Sequence, residues 1–389
     1  MSEWKTYRLE ELCMAKGSYG IGAPAVAFDA NKYTYLRITD INDDGTLNRN
    51  GLMSVDDEHA GDYLLKENDI VFARTGNSTG RSYFYDGRDG ELVYAGFLIK
   101  FSLDSEKVNP RILKYYTHSQ PYYDWVRSFD TGGTRGNINA KVFGAMPITL
   151  PPRHQQDRIV EILKPLDDKI ELNRRINANL EEQAQALFKS WFVDNDSQLG
   201  NYQTKSLTDI AQYLNGLAMQ KFPPVSLQNS LPVLKIKELG QGQCDASSDR
   251  CSTSIRPEYI INDGDIIFSW SGTLLVDVWC GGRCGLNQHL FKVTSGNYPK
   301  WFIFYWTKHH LNKFIRIAKD KAVTMGHIKR CDLESSEVKI PEKPILEYLD
   351  KIFTPLFDSV IAHRIENRNL SALRDTLLPK LMAGEIAIE

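Results

Sequence analysis

Residues 68–80 read NDIVFARTGNSTG and residues 264–275 read GDIIFSWSGTLL. The core Asp-Ile-(Val/Ile)-(Phe) phrase is the same in both, and the residues after it are rewritten. The match extends outward. Leu36-Arg37-Ile38-Thr39-Asp40-Ile41 meets Leu234-Lys235-Ile236-Lys237-Glu238-Leu239, 198 positions on, and Leu98-Ile99-Lys100 meets Leu290-Phe291-Lys292 at 192. Thr134-Arg135-Gly136-Asn137-Ile138 meets Thr324-Met325-Gly326-His327-Ile328 at 190. From there the offset holds: Leu150-Pro151 with Ile340-Pro341, Pro165-Leu166 with Pro355-Leu356, Arg174 with Arg364, and NANL from Asn177 with NRNL from Asn367. The order is kept while the offset drifts by loop-sized steps, which identifies an internal duplication. Each copy is a globular region of about 140 to 150 residues and a closing segment of about 40, near ordinary domain size.

The chain has 389 residues, 42% hydrophobic and 25% charged, with net charge −2, values of an ordinary globular protein. No apolar run reaches the roughly 20 residues of a membrane span, and MSEWKTYRLEEL lacks the apolar core of a signal peptide. A cytoplasmic location with no membrane partner is the expectation. Six cysteines are spread without a disulfide-frame spacing. Cys244, Cys251, Cys280 and Cys284 are conceivable as four zinc ligands, but their spacings are not the usual short pairs and favour buried reduced thiols.

The closing segments carry a seam. Stepping by four and three from Ile159 gives Leu163, Leu166, Ile170, Asn173, Asn177, Leu180, Ala184, Leu187 and Trp191. From Leu349 it gives Phe353, Leu356, Val360, His363, Asn367, Leu370, Arg374, Leu377 and Leu381. One such segment reads as an amphipathic helix on its own domain; two matched ones favour a coiled coil between them. Asn173, Asn177, His363 and Asn367 would lower its stability but fix orientation and register. Pro165 and Pro355 should each begin a helix or kink it. A helix over residues 155–192 would span roughly 57 Å, and LFKSWFVDNDSQLGNY after it reads as a linker.

Within the heads, YTYLRI, NDIVFA and LVYAGFLIKFSL are strand-like runs between turn signals, and one helix per copy starts at Pro110 or Pro299. The heads are therefore mixed α/β. The slight negative charge excludes a uniformly basic nucleic-acid binder, but residues 300–330 hold Lys300, Lys308, Lys313, Arg316, Lys319, Lys321, Lys329 and Arg330 against Asp320 alone. Residues 111–141 hold Arg111, Lys114, Arg127, Arg135 and Lys141 against Asp124 and Asp130. Both lead into a glycine loop, TGGTRGNIN or VTMGHIK, whose Thr134, Arg135, Asn137 and Asn139, or Lys321, Thr324, Met325, His327 and Lys329, suit phosphate and base-edge contacts; a solvated helix face explains the charges alone equally well. The second candidate is the loop after Phe72, with Arg74, Thr75, Asn77, Ser78 and Arg81, replaced in the other copy by Trp270, Ser271 and Thr273. The Arg74-to-Trp270 change fits diverged readers, whereas a tryptophan taken alone more often packs under its loop.

Catalytic patterns are scarce. There is no Gly-x4-Gly-Lys-Ser/Thr loop and no His-Glu-x2-His pair. The Pro-Pro pairs in LPPR and FPPV lack the neighbours that amino-methyltransferases place beside a flipped base, and FDTGGTRG resembles a methyl-donor loop whose glycines the second copy drops.

ENDIVFARTGNSTG with DGDIIFSWSG, TRGNINAKVFGAMPITLPPRHQQDRIVEIL, LDDKIELNRRINANLEEQAQALFKSWF and RIENRNLSALRDTLLPKLMAGEI together resemble the specificity subunits of type I restriction-modification systems along essentially the whole chain. The resemblance implies an α+β architecture with an internal pseudo-two-fold repeat: target-recognition domains at 1–152 and 196–343, a central helical region at 153–195 and a C-terminal one at 344–389, the helical regions pairing antiparallel. It implies a non-catalytic subunit whose two heads each read one half of a split double-stranded DNA site. Two modification methyltransferase subunits would dock on the helices, and restriction/translocase subunits through them. S-adenosylmethionine, ATP and Mg would sit on those partners, with no cofactor in this chain. An uninterrupted helix is commoner in the family than one carrying Pro165 or Pro355. The competing classes are a nuclease or methyltransferase with diverged motifs, and an assembly scaffold without DNA binding.

Overall fold

A computed structural model describes residues 4–129, 136–194, 199–320 and 326–386. The chain divides into two compact units, Met1–Asp167 with Ala372–Glu389, and Asp168–Ser371. The elements in chain order are β1 (Lys5–Arg8), β2 (Ser18–Tyr19), β3 (Ala25–Val26), β4 (Thr34–Leu36), β5 (Met53–Val55), β6 (Asp69–Ala73), β7 (Ser82–Phe84), β8 (Leu92–Tyr94), β9 (Leu98–Ser102), α1 (Pro110–Tyr116), α2 (Gln120–Arg127), α3 (Ala140–Gly144), β10 (Pro147–Leu150) and α4 (Arg153–Lys189). The second copy continues with β11 (Gln203–Ser206), α5 (Leu207–Ile210), β12 (Gln212–Asn215), β13 (Ser230–Leu234), α6 (Ile236–Gln241), β14 (Arg250–Ser252), β15 (Ile260–Ile261), β16 (Ile266–Ser269), β17 (Leu275–Val278), β18 (Cys284–Leu286), β19 (Leu290–Thr294), α7 (Lys300–Asp320), α8 (Arg330–Glu334), β20 (Glu337–Ile340) and α9 (Lys343–Met382).

The repeated phrase forms β6 and β16, and successive residues of a strand point to opposite faces. Ile70 and Phe72 enter one apolar cluster with Leu9, Phe101 and Phe143, while Val71 and Ala73 enter another with Leu36, Tyr83 and Leu92. In the second copy Ile266 and Phe268 join Val276, Phe302 and Phe314, and Ile267 joins Leu234, Trp279 and Leu286. A strand buried on both faces needs the continuous apolar run that both copies keep. The backbone is left-handed at the entry to this stretch, φ 70° at Asn68 and 84° at Gly264, which is why Asn and Gly alternate there. The next residue, an aspartate, closes the turn: Asp69 Oδ2 accepts the Lys66 N–H at 2.8 Å and Asp265 Oδ2 that of Asn262 at 2.9 Å. Lys100 and Lys292, on the neighbouring strand, pair with these carboxylates at 3.4 and 2.7 Å.

One sheet is the same in both copies, β2-β9-β6-β7 and β12-β19-β16-β17, as is the small ladder β1-β10 or β11-β20. The other sheet keeps its parallel pair, β4 with β8 and β13 with β18, and rearranges around it, β3-β5-β4-β8 against β14-β13-β18-β15. The helix expected from Pro299 runs unbroken as α7. The one from Pro110 stops at Tyr116 and restarts as α2, with Pro121 in its first turn. The break falls at Thr117–Ser119, and Pro121 sits in the first turn of the new helix, where a residue without an N–H is tolerated.

Both long helices run through their prolines: each starts twelve residues earlier, at Arg153 and Lys343, so neither Pro165 nor Pro355 begins one. The expected linker is partly core. Residues 190–194 continue α4 as a π-helical turn, and Phe188, Phe192 and Leu199 lie in the second unit's main cluster with Trp301, Phe302 and Trp306. In the first unit Ile159, Val160 and Leu163 of α4 and Leu378 and Leu381 of α9 close the head's own core, with Leu166 and Leu377 packed against it. In the second unit Ala184 and Phe188 meet Leu349, Phe353 and Phe357, flanked by Leu187 and Leu356.

The polar centre of the seam lies in the second unit. Asn177 Nδ2 donates to the Val360 carbonyl and Asn367 Nδ2 to that of Ile170, both at 3.2 Å, an exchange related by the 190-residue repeat. His363 Nδ1 donates to Asn177 Oδ1 at 2.8 Å. The fully buried Asn173 donates to Glu366 and Asn367 at 2.7 and 2.9 Å. Partners with falling residue numbers along one helix and rising numbers along the other make the pairing antiparallel, and Ile170, Leu180, Val360 and Leu370 flank it as buried or half-buried residues.

In the first unit Asp167, 7% exposed, accepts Lys114 at 2.8 Å and Arg374 at 3.1 Å. Burial alone would raise its pKa, but the two cations outweigh it and hold the carboxyl below the ordinary range. A depressed carboxylate pKa stabilises the fold above the unfolded-state value, and that contribution is lost as pH falls through the folded one. Asp167→Asn, which strands two cations, is expected to cost about 3–5 kcal/mol at neutral pH, and in thermal melts its loss of stability on acidification should be shallower than that of the unaltered chain. Asn177→Ala, which leaves the Val360 carbonyl and His363 without their seam partner, should cost about 1–3 kcal/mol in urea unfolding.

Candidate nucleic-acid interface

The two loop candidates, far apart in sequence, meet at one end of each head. In the first, the chain leaves β6 through Arg74 into a 3-10 turn at Gly76–Ser78. The Ile138 N–H donates to the Arg74 carbonyl at 3.0 Å, the Thr79 hydroxyl to the Gly136 carbonyl at 3.0 Å, and Arg74 Nε to Asn137 Oδ1 at 3.4 Å. In the second, the Ile328 N–H donates to the Trp270 carbonyl at 3.1 Å and the Gly272 N–H to the Gly326 carbonyl at 3.0 Å, while Ser271 and His327 form a β-bridge. Backbone bonds thus fix the platform and leave side chains to vary.

Two further segments complete each platform. The guanidinium of Arg74 lies 5.0 Å over the Tyr19 ring, and Tyr19 is at the end of β2. Trp270 occupies the corresponding place, donating Nε1–H to Asn215 Oδ1 at 2.9 Å from the end of β12 and stacking on Phe291 at 5.7 Å and 30°. Gly20 and Gly216 come directly after those strands with no room for a Cβ, which would meet the Tyr94 carbonyl at 2.2 Å or the Asn287 carbonyl at 2.1 Å. Those contacts press β2 and β12 against the turn joining β8 to β9 and β18 to β19. The Phe97 carbonyl accepts the Arg74 N–H at 3.1 Å and the His289 carbonyl that of Trp270 at 3.4 Å. Tyr19, Phe97, Asn215 and His289 were not legible as site residues, since they lie in short edge strands and turns without a motif of their own.

The expected residues sort by what else they hold. Asn77, Asn137, Asn139, Thr273, His327 and Lys329 are exposed; Arg74, Thr75 and Trp270 are half-buried. Ser78 and Ser271 are buried. Asn139 Oδ1 caps α3 by accepting the Val142 N–H at 3.0 Å. Arg81 is drawn into its own head by the Ile41 carbonyl at 3.1 Å and Asp43 at 2.6 Å. Thr134, Arg135, Lys321, Thr324 and Met325 lie outside the described residues. Of the basic runs, Arg111 pairs with Asp86 and Lys114 with Asp167, Lys300 donates to the Gly264 carbonyl and Lys313 to that of Ser335, whereas Arg316, Lys319, Lys329 and Arg127 are exposed near the loop pair in sequence.

The cysteines carry free thiols, and burial pushes that of Cys280 up to about 11. Among the described residues no group of three or more His, Cys, Asp or Glu is placed to hold a metal, and no helix is long and apolar enough to cross a membrane.

A family model for the type I restriction modification DNA specificity domain matches residues 1–182 and 200–368. The chain is 27% identical over 305 residues to the specificity subunit of the type I restriction enzyme MjaIX of Methanocaldococcus jannaschii, covering 71% of this chain and 69% of that one. It is 22% identical to the specificity subunit of the type I enzyme HindI of Haemophilus influenzae, covering 99% and 100%. The fold matches the crystal structure of a type I restriction-modification S subunit from M. genitalium with a TM-score of 0.55 at 14% identity, covering 100% of this chain and 97% of that one. With both copies matched by the family model, the chain belongs to the type I restriction modification DNA specificity family, whose members are non-catalytic DNA-recognition subunits.

Proposed function

We propose that each head reads one half of an asymmetric split DNA site, residues 1–152 one half and 196–343 the other, and that the helical regions at 153–195 and 344–389 set the spacing between the halves. The observation that carries this reading is the duplication itself: one loop pair, joined by the equivalent backbone bond from Ile138 to Arg74 or from Ile328 to Trp270, bears Arg74, Thr75 and Asn137 in one copy and Trp270, Ser271 and His327 in the other. A duplicated scaffold with different side chains yields two related sites of different sequence. Half-site spacing set by protein geometry is the rule for two-fold DNA binders. Exposed Asn77, Asn137, Asn139, Thr273 and His327 supply donors and acceptors for base edges, and Lys329 with its basic neighbours supplies phosphate contacts. Two modification subunits dock on the helices and use S-adenosylmethionine to methylate adenine, and restriction subunits joined through them bring ATP and Mg. The chain itself holds none of these.

Long-read methylome sequencing of a clean host expressing this chain with the modification subunit encoded beside it is expected to yield a two-part asymmetric motif carrying N6-methyladenine, absent when this chain is omitted. Assembly of the complex without any motif would sink the reading in favour of a scaffold; methyl-donor binding by the isolated chain would favour an enzyme. Arg74→Ala should relax only one half of the motif. Lys329→Ala should weaken binding to all duplexes alike and lower the salt slope of the assembled complex by about 1.

A further inference from the structure

The turn that joins β8 to β9 recurs between β18 and β19 with the same closing bond, Leu98 N–H to the Ala95 carbonyl at 2.8 Å and Leu290 N–H to the Asn287 carbonyl at 3.0 Å. Its two central residues are exchanged outright: Gly96-Phe97 in the first head, Gln288-His289 in the second. Phe97 is 60% exposed beside Arg74. In the second head the turn lines an open cleft of about 590 Å³ together with Ser271, Lys235, Lys237 and Arg250.

The hydrogen bonds there fix what the turn presents. Gln288 Nε2 lies 3.3 Å from His289 Nε2, and an amide nitrogen only donates, so the ring nitrogen accepts. The other ring nitrogen, His289 Nδ1, then carries the proton and donates to Ser271 Oγ at 3.0 Å. Gln288 is left with one N–H and its Oε1, a donor and an acceptor side by side, and the Ser271 hydroxyl retains its own proton. A paired amide donor and acceptor fits the N7 and N6 groups of adenine in the major groove, whereas an exposed phenyl ring with a glycine beside it offers only an apolar contact, as to the methyl of thymine.

We propose that this turn is a specificity-determining element of both heads: Gln288, positioned by His289 and Ser271, takes the major-groove edge of an adenine, and Phe97 makes an apolar contact at the matching place in the other half-site. The proposal rests on the reading that each head recognises one half of a DNA site. It accounts for a scaffold that keeps the turn closed while replacing both residues at its tip.

The test is the Gln288→Gly/His289→Phe variant, which carries the sequence that closes the same turn in the first head, coexpressed with the modification subunit. Its methylome should lose preference for adenine at one position of one half of the motif, with the other half unchanged. Competition between duplexes differing at that base should show discrimination falling by about 5- to 150-fold. Phe97→Ala should relax a position in the opposite half. An unchanged motif at unchanged occupancy overturns the proposal. If the double variant melts below the unaltered chain, Gln288→Ala, which removes only the amide, decides the same way. Absence of any two-part motif with the unaltered chain would instead overturn the half-site reading, and this proposal with it.

Discussion

Burial of β6 and β16 on both faces is the constraint on which each head is built. A strand with one wet face tolerates polar residues at every second position; these two do not, because alternate side chains of Asp-Ile-(Val/Ile)-Phe enter separate clusters. Such a strand must be entered sharply, and the left-handed backbone at Asn68 or Gly264 with the carboxylate of Asp69 or Asp265 does this. The loop that leaves the strand is then held at the rim of the core, where Trp270 packs on the cluster beneath while Asn77 and Thr273 stay exposed outside it.

The long helices are integral to those cores. The ends of α4 and α9 contribute Leu163 and Leu381 to one head, and Phe188 and Phe353 to the other. Between the apolar ends the seam turns polar. Asn177 and Asn367 each reach a backbone carbonyl of the opposite helix, and a slip of either helix would leave buried amides unmatched. Buried polar groups of this kind give register at the expense of stability. The ion pairs of Asp167 with Lys114 and Arg374, and of Asp263 with Arg368, tie helix to head in the same manner, through buried or half-buried partners.

Besides the helix that is broken into α1 and α2 in one copy and continuous as α7 in the other, the copies diverge in two places. The sheet containing β6 or β16 is unchanged in order, while the one built on the parallel pair has been rearranged. At the candidate interface, Arg74 on Tyr19 becomes Trp270 bonded to Asn215, and Phe97 becomes His289 bonded to Ser271. Each substitution is matched by its neighbour, so the two platforms differ in chemistry while the backbone bonds made by Arg74 and Trp270 remain equivalent.

The sequence by itself determined the duplication, the strand-like repeated phrase, the heptad seam with its polar centre and the family, because each is written as a periodic or repeated pattern along the chain. Offsets that are constant from Thr134 onward also made the equivalence of the two helical segments legible. Other features were decided only by tertiary structure: that the loop after β6 and the loop before α3 form one platform, that Tyr19 and Phe97 belong to it, that Arg81 and Ser78 face their own head, and that residues read as a linker are core. The physical reason is that these depend on which distant backbone groups pair and which side chains the resulting packing covers. Neither Gly20 nor Phe97 has a local pattern, and their roles come from the carbonyls of Tyr94 and Ala95 and the amide of Arg74 that folding places beside them.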